Sequence, residues 1–192
     1  MTVSNIARWA SALGGLLAVT ASWALEPMAT PLAAPVTANV RVAFTPGDDA
    51  AGQIIDAIRQ ARKQVLVQAF SFTHDGIARA LIDAHKRGID VKLIADTEQT
   101  GKMKREQVTG MARAGVPVWL DGEHQSAHNK VMVIDAGQPS ALIVTGSYNF
   151  TRAAQHKNAE NVVFIGGNDV LVRSYVANWQ RHFAHSRPLV LH

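Results

Sequence analysis

The chain has no cysteine, which excludes disulfides and thiolate metal sites. It does not argue against export, because a core of this size holds without covalent staples. Charge is missing from its start, where Arg8 is the only charged residue before Glu26. Trp9 to Ala21 is a continuous run of apolar and small residues. The uncharged stretch can be extended to Leu25, still short of the ~20 residues that cross a bilayer. Ser22-Trp23-Ala24 places small residues at the two positions a signal peptidase reads. The expectation is therefore a secretory signal peptide over residues 1–24 and an exported, periplasmic or secreted protein. The other reading of the same residues is an uncleaved anchor, the one way a membrane would become a partner. No internal repeat is visible. A second H-x-K element is also missing, since His74, His85, His124, His156, His182 and His185 all lack a lysine two residues on.

What remains suits one globular domain with a short extension: 192 residues, 47% apolar and 18% charged. Three prolines among small residues make residues 25–38 a tether, leaving 39–187 for the domain. Without residues 1–24 the chain has 18 Lys plus Arg against 15 Asp plus Glu, a net of +3. That mild excess is compatible with a polyanionic substrate and identifies none.

Short β-rich runs alternate with helical spacing. Strands are expected over Val40 to Phe44, Gln64 to Phe70, Val91 to Ala95, Val116 to Leu120, Lys130 to Ile134, Ala141 to Val144 and Asn161 to Ile165. Helices are expected over Asp48 to Arg62, Ile77 to Lys86, Gly101 to Ala114, Thr151 to Lys157 and Asp169 to His185. The alternation predicts a single α/β domain whose sheet is mixed, mostly parallel, with helices on both faces.

The chemistry concentrates between His128 and Asn149. His128-Asn129-Lys130-Val131-Met132-Val133-Ile134-Asp135 is an H-x-K-x4-D element, followed by Gly146-Ser147-Tyr148-Asn149. Alternate residues of a strand share a face, so His128 and Lys130 set an imidazole beside a fixed positive charge. Ser147 and Asn149 repeat that spacing and bring a hydroxyl and an amide toward the same phosphate. A lone histidine near a strand start is more often a hydrogen-bonded structural residue; it is the surrounding pattern that reverses the reading. Asp135 lies seven residues past His128, an odd offset that turns it to the other face of an unbroken strand. Its expected part is to brace the site's framework.

These residues resemble the signature of the phospholipase D superfamily. Ser71-Phe72-Thr73, the helix around Ile77-Ala78-Arg79-Ala80-Leu81-Ile82-Asp83-Ala84, the run Lys86-Arg87-Gly88-Ile89-Asp90-Val91-Lys92 and Lys157-Asn158-Ala159-Glu160-Asn161 extend the resemblance. Together they resemble the small single-motif secreted endonucleases of that superfamily, the EDTA-resistant Nuc type, over roughly Val40 to Phe183. The resemblance implies a metal-independent phosphodiesterase that cleaves DNA, with RNA as a second candidate, through a phosphohistidine and without any cofactor. One imidazole attacks while another, on the opposite side of phosphorus, protonates the leaving oxygen. One H-x-K per chain then requires a two-fold homodimer. The resemblance further implies that Lys130 and Asn149, with Ser147, hold the non-bridging oxygens, and that Glu160 hydrogen-bonds the His128 ring. The same chemistry would serve a phospholipase D or phosphatidyl transferase. A third reading is a membrane-anchored, secretion-associated protein that binds nucleic acid.

Other groups carry less. His124 and His128 have the spacing of a helical zinc pair, but the second stands at a strand start and no third ligand is spaced nearby, so no metal site is expected. Lys102, Lys104 and Arg105 suit a nucleic-acid backbone or a solvated helix face. Trp179 and Phe183 suit the core.

Overall fold

The computed structural model describes residues 37–102 and 106–191. The expected signal peptide, almost all of the tether and the Lys104–Arg105 pair lie outside the described residues, as does the Lys102 side chain. Those described fall in one compact unit. Among them, no helix is long and apolar enough to cross a membrane.

Eight strands form one sheet: β1 (Asn39–Thr45), β2 (Gln64–Ala69), β3 (Asp90–Asp96), β4 (Val118–Asp121), β5 (Lys130–Ile134), β6 (Leu142–Gly146), β7 (Glu160–Gly166) and β8 (Arg187–Pro188). Their order is β1-β7-β6-β5-β2-β3-β4-β8. The helices are α1 (Ala50–Gln60), α2 (Asp75–Lys86), α3 (Thr97–Lys102), α4 (Glu106–Arg113), α5 (Arg152–His156) and α6 (Asp169–His185). The sheet is mixed, as expected, but it is not mostly parallel. Only the β2-β3 and β3-β4 pairings are parallel, and the other five are antiparallel. The reason lies in the connections. α2 and α3-α4 are crossovers long enough to return the chain to the same end of the sheet, whereas only residues 135–141 separate β5 from β6.

Strand alternation sorts the core into two layers. Val65, Val67, Met132 and Ile134 pack under α1, α2 and α4 against Ile54, Ile58, Leu81 and Met111. Their neighbours Leu66, Val131 and Val133 face the other way, onto Val172 and Trp179 of α6. Trp179 is buried and its indole N–H donates to the Val67 carbonyl at 3.1 Å. The helices begin where polar side chains satisfy their free N–H groups: Asp49 for α1, His74 for α2, Thr151 for α5 and Asn168 for α6. Where a helix is expected over Gly101 to Ala114, the described residues hold the end of α3, which starts directly after β3, and α4, which ends before Gly115. Gly115 takes the left-handed φ of 92° that closes a helix.

Asp135 ends β5 with a φ of 53°, a conformation aspartate tolerates better than most residues. Its carboxylate accepts backbone N–H groups from Arg62 (3.0 Å), Lys63 (2.7 Å) and Gln64 (3.1 Å). It thereby fixes the turn from α1 into β2. Asp135→Ala orphans these donors and should cost about 2–4 kcal/mol in urea unfolding. Turnover per folded molecule should stay near that of the parent. Lost turnover at unchanged stability would instead make Asp135 part of the chemistry.

Candidate active site

The topology collects the functional residues along one edge of the sheet. β2, β3 and β4 are parallel, β5 runs against β2, β6 against β5 and β7 against β6. The C-terminal ends of β2, β3, β4 and β6 therefore meet the N-terminal ends of β5 and β7. Residues 122–129 cross this edge from β4 to β5, over the ends of β3 and β2. They are held there by Asp96, whose carboxylate accepts the Ala127 N–H at 2.8 Å, and by the Phe70 N–H donated to the Asn129 carbonyl at 2.8 Å.

His128 is delivered at the end of this loop with its side chain exposed. Its ring lies 4.3 Å, centroid to centroid, from the Phe70 ring. Lys130, only 7% exposed, brings its Nζ to 3.1 Å from His128 Nδ1 and donates to the His128 carbonyl at 2.8 Å. The same ammonium lies 4.8 Å from the centre of the Phe70 ring. Desolvation and then the Lys130 charge lower the His128 pKa below its ordinary value, partly offset by Asp96. Desolvation also lowers the Lys130 pKa, with Glu160 opposing it. An ammonium has only protons to give, so in this arrangement His128 Nδ1 accepts and the neutral ring keeps its proton on Nε2.

Glu160 starts β7 on the same face as Val162 and Phe164, as Lys130 does with Met132 and Ile134. It accepts from Ser147 Oγ at 2.5 Å and from Asn158 Nδ2 at 3.0 Å. The expected bond from Glu160 to the His128 ring is not made among the described residues, because Lys130 occupies the near ring nitrogen and the carboxylate is held by Ser147 and Asn158. Ser147 Oγ also accepts the Asn161 N–H at 3.1 Å. Ser147 is thus bound into the β6-β7 end rather than turned freely outward. Gly146 permits this approach: its φ is 140°, and a Cβ there would lie 2.3 Å from the Asn161 carbonyl oxygen.

Asn149 reaches the edge because the Thr73 and His74 N–H groups both donate to the Phe150 carbonyl at 2.9 Å, joining this segment to the one that follows Phe70. Its side-chain oxygen is buried without a hydrogen-bond partner among the described residues, an unmet acceptor of the kind that marks a working site. His128, Lys130, Ser147, Asn149 and Glu160 thus share one edge, and Asp135 lies at the opposite end of β5. Sequence reasoning missed Phe70 and Asp96. Each stands at a strand end that borders His128 only after folding.

An exposed imidazole beside a buried ammonium, backed by a carboxylate and an amide, has the donors and the nucleophile that phosphate-ester chemistry uses. A family model for the cardiolipin synthase, phospholipase D-like domain matches residues 54–186. The chain belongs to the phospholipase D superfamily. Its membership makes it a phosphodiesterase. Phospholipase D of Rickettsia bellii is 38% identical over 141 residues, 73% of this chain and 67% of that protein. Mitochondrial cardiolipin hydrolase of Xenopus tropicalis is 28% identical over 134 residues, 70% of this chain and 61% of that one. The chain thus spans about two thirds of the length of these curated relatives. Among solved structures, Nuc from Salmonella typhimurium, a phospholipase D family member, superposes with a TM-score of 0.73 at 32% identity. That match covers 81% of this chain and all of Nuc. NucT from Helicobacter pylori has the same fold, with a TM-score of 0.71 at 22% identity, over 80% of this chain and all of NucT.

Proposed function

We propose that this phosphodiesterase is an exported, metal-independent endonuclease acting on DNA, with RNA as a second substrate. The observation that carries the reading is the open placement of His128: exposed, at the sheet edge, beside Lys130. Such a site accepts a phosphodiester in the middle of a polymer and grips only what every nucleotide shares. The match to the whole of Nuc, at 32% identity over 81% of this chain, supports it.

The working unit is a two-fold homodimer. His128 of one subunit attacks phosphorus, and the partner subunit's His128 protonates the leaving oxygen; roles then reverse as water resolves the phosphohistidine. Lys130 and Asn149 carry the non-bridging oxygens. As Lys130 turns from His128 Nδ1 to a phosphate oxygen, the ring is released to take the tautomer with a free Nε2 for attack. The apolar side chains Val40, Val42 and Phe44 support pairing: they lie on one face of β1 and are 60%, 41% and 61% exposed, an apolar patch a partner could cover. Export rests on the apolar run from Trp9 to Ala21 and the Ser22-Trp23-Ala24 site.

A second reading, a phospholipase, is favoured by curated relatives bearing that name at up to 38% identity. Incubating the purified chain with plasmid DNA and with phosphatidylcholine vesicles, each in excess EDTA, separates the two. DNA nicking that survives the chelator is expected. Release of choline with intact DNA would transfer the assignment to lipid.

A further inference from the structure

A second cluster of chemically able side chains stands away from His128. Asp121, His124, His182 and His185 each direct one possible ligand atom into a common space, and these atoms all lie within 4.8 Å of one another. Asp121 ends β4 and is 1% exposed. His182 and His185 are one turn apart on α6, and His124 stands in the loop that leads to His128. Asp121 Oδ2 is 2.7 Å from His182 Nδ1 and 3.2 Å from His185 Nε2; Asp121 Oδ1 is 3.4 Å from His124 Nδ1. The imidazole rings enclose the carboxylate, with centroids 4.9 Å apart for His124 and His182, 5.2 Å for His124 and His185, and 5.4 Å for His182 and His185.

We infer that these four residues form a binding site for one zinc-class divalent cation. Three neutral imidazoles and a carboxylate are the donors such ions select. Ligand atoms around a tetrahedral zinc are separated by about 3.3 Å, given metal–nitrogen bonds of ~2.0–2.1 Å. The separations from 2.7 to 4.8 Å bracket that spacing. Hydrogen bonding leaves the cluster incomplete. His185 Nε2 is buried and, although 3.2 Å from Asp121 Oδ2, makes no bond of hydrogen-bond geometry. A cation gives that nitrogen a partner and removes the need for three rings to share one carboxylate. An open cavity of about 360 Å³ bordered by Thr97, Gly122, Glu123 and His185 supplies an entry path.

Four protein ligands close the coordination sphere, so the ion's part is structural. It fastens the last turn of α6 to the end of β4. Through His124 it also tethers residues 122–127, the segment that Asp96 holds just before His128. The site is therefore a clip on the loop that presents the nucleophile, and its chemistry is separate from phosphodiester cleavage.

The test is zinc uptake by the full chain after stripping with a chelator, measured by equilibrium dialysis against Zn²⁺ with thermal unfolding in parallel. The parent, His124→Ala, the double variant His182→Ala/His185→Ala and His128→Ala are compared. His124 is the decisive position, because its side chain is 47% exposed and its loss spares the fold. One Zn²⁺ per chain and a raised Tm are expected for the parent and for His128→Ala. Weakening beyond the ~10–100-fold that outer-sphere partners cost is expected for His124→Ala and for the double variant. Co²⁺ should give the visible absorption of a tetrahedral nitrogen and oxygen site in the parent and lose it in His124→Ala. No uptake by the parent, equal uptake by His124→Ala, or uptake lost in His128→Ala would each overturn the inference.

Discussion

His128→Ala should reduce the rate of DNA nicking about 10⁴-fold or more, while binding of DNA in a mobility-shift assay stays within a few-fold of the parent. The size follows from the chemistry proposed for the site. No neighbouring group can replace the imidazole as nucleophile: Lys130 is held to the His128 carbonyl, and Ser147 is committed to Glu160 and Asn161. Binding survives because Lys130, Asn149 and the backbone of the edge remain. The same variant tests the two-subunit site. When it is mixed with an equal amount of parent and subunits exchange, each mixed dimer holds one imidazole where two are needed. Nicking should then fall to about half that of the parent alone. A rate that does not respond to added His128→Ala would mean that each chain works by itself.

Lys130→Met should lower kcat by about 10²–10³-fold, the usual cost of removing one donor to developing negative charge. It should also move the titration of His128, and the sign is fixed by the structure. The Lys130 charge disfavours the imidazolium, so its removal raises the His128 pKa back toward the ordinary value. Desolvation, the larger cause, persists, and the return is partial. Proton-detected titration of the His128 ring should show this rise. The acid limb of kcat/KM, where the attacking ring must lose its proton, should move to higher pH with it. A fall in the His128 pKa on loss of Lys130 would mean that the ammonium does not face the ring.

Several parts of the molecule were legible before folding because their signal is local. β5 spans Lys130–Ile134 and α6 spans Asp169–His185, the bounds expected from a short apolar run in one case and helical spacing in the other. The H-x-K element is likewise local, since two residues on one strand share a face whatever surrounds them. The start of α3 at Thr97, directly after β3, was not legible, because Thr97 to Thr100 is polar and carries no apolar spacing. β8 was missed as well. A two-residue strand against Trp119 and Leu120 exists only because α6 ends beside β4.

The partner of His124 shows the limit most directly. Its i, i+4 neighbour His128 was the residue weighed beside it, yet the fold turns His128 to Lys130 and Phe70. It sets His124 against His182 and His185, near Asp121. Asp121 and His182 are 61 positions apart, and no periodic pattern connects them. The order of residues by itself determined most element types, the H-x-K signature and the superfamily, since each depends on neighbours a few positions away. The direction of five strand pairings, the hold of Lys130 on the His128 ring and the gathering of three imidazoles about one buried carboxylate were decided only in three dimensions. There, short connections and the shared edge of the sheet bring together groups that the chain keeps far apart.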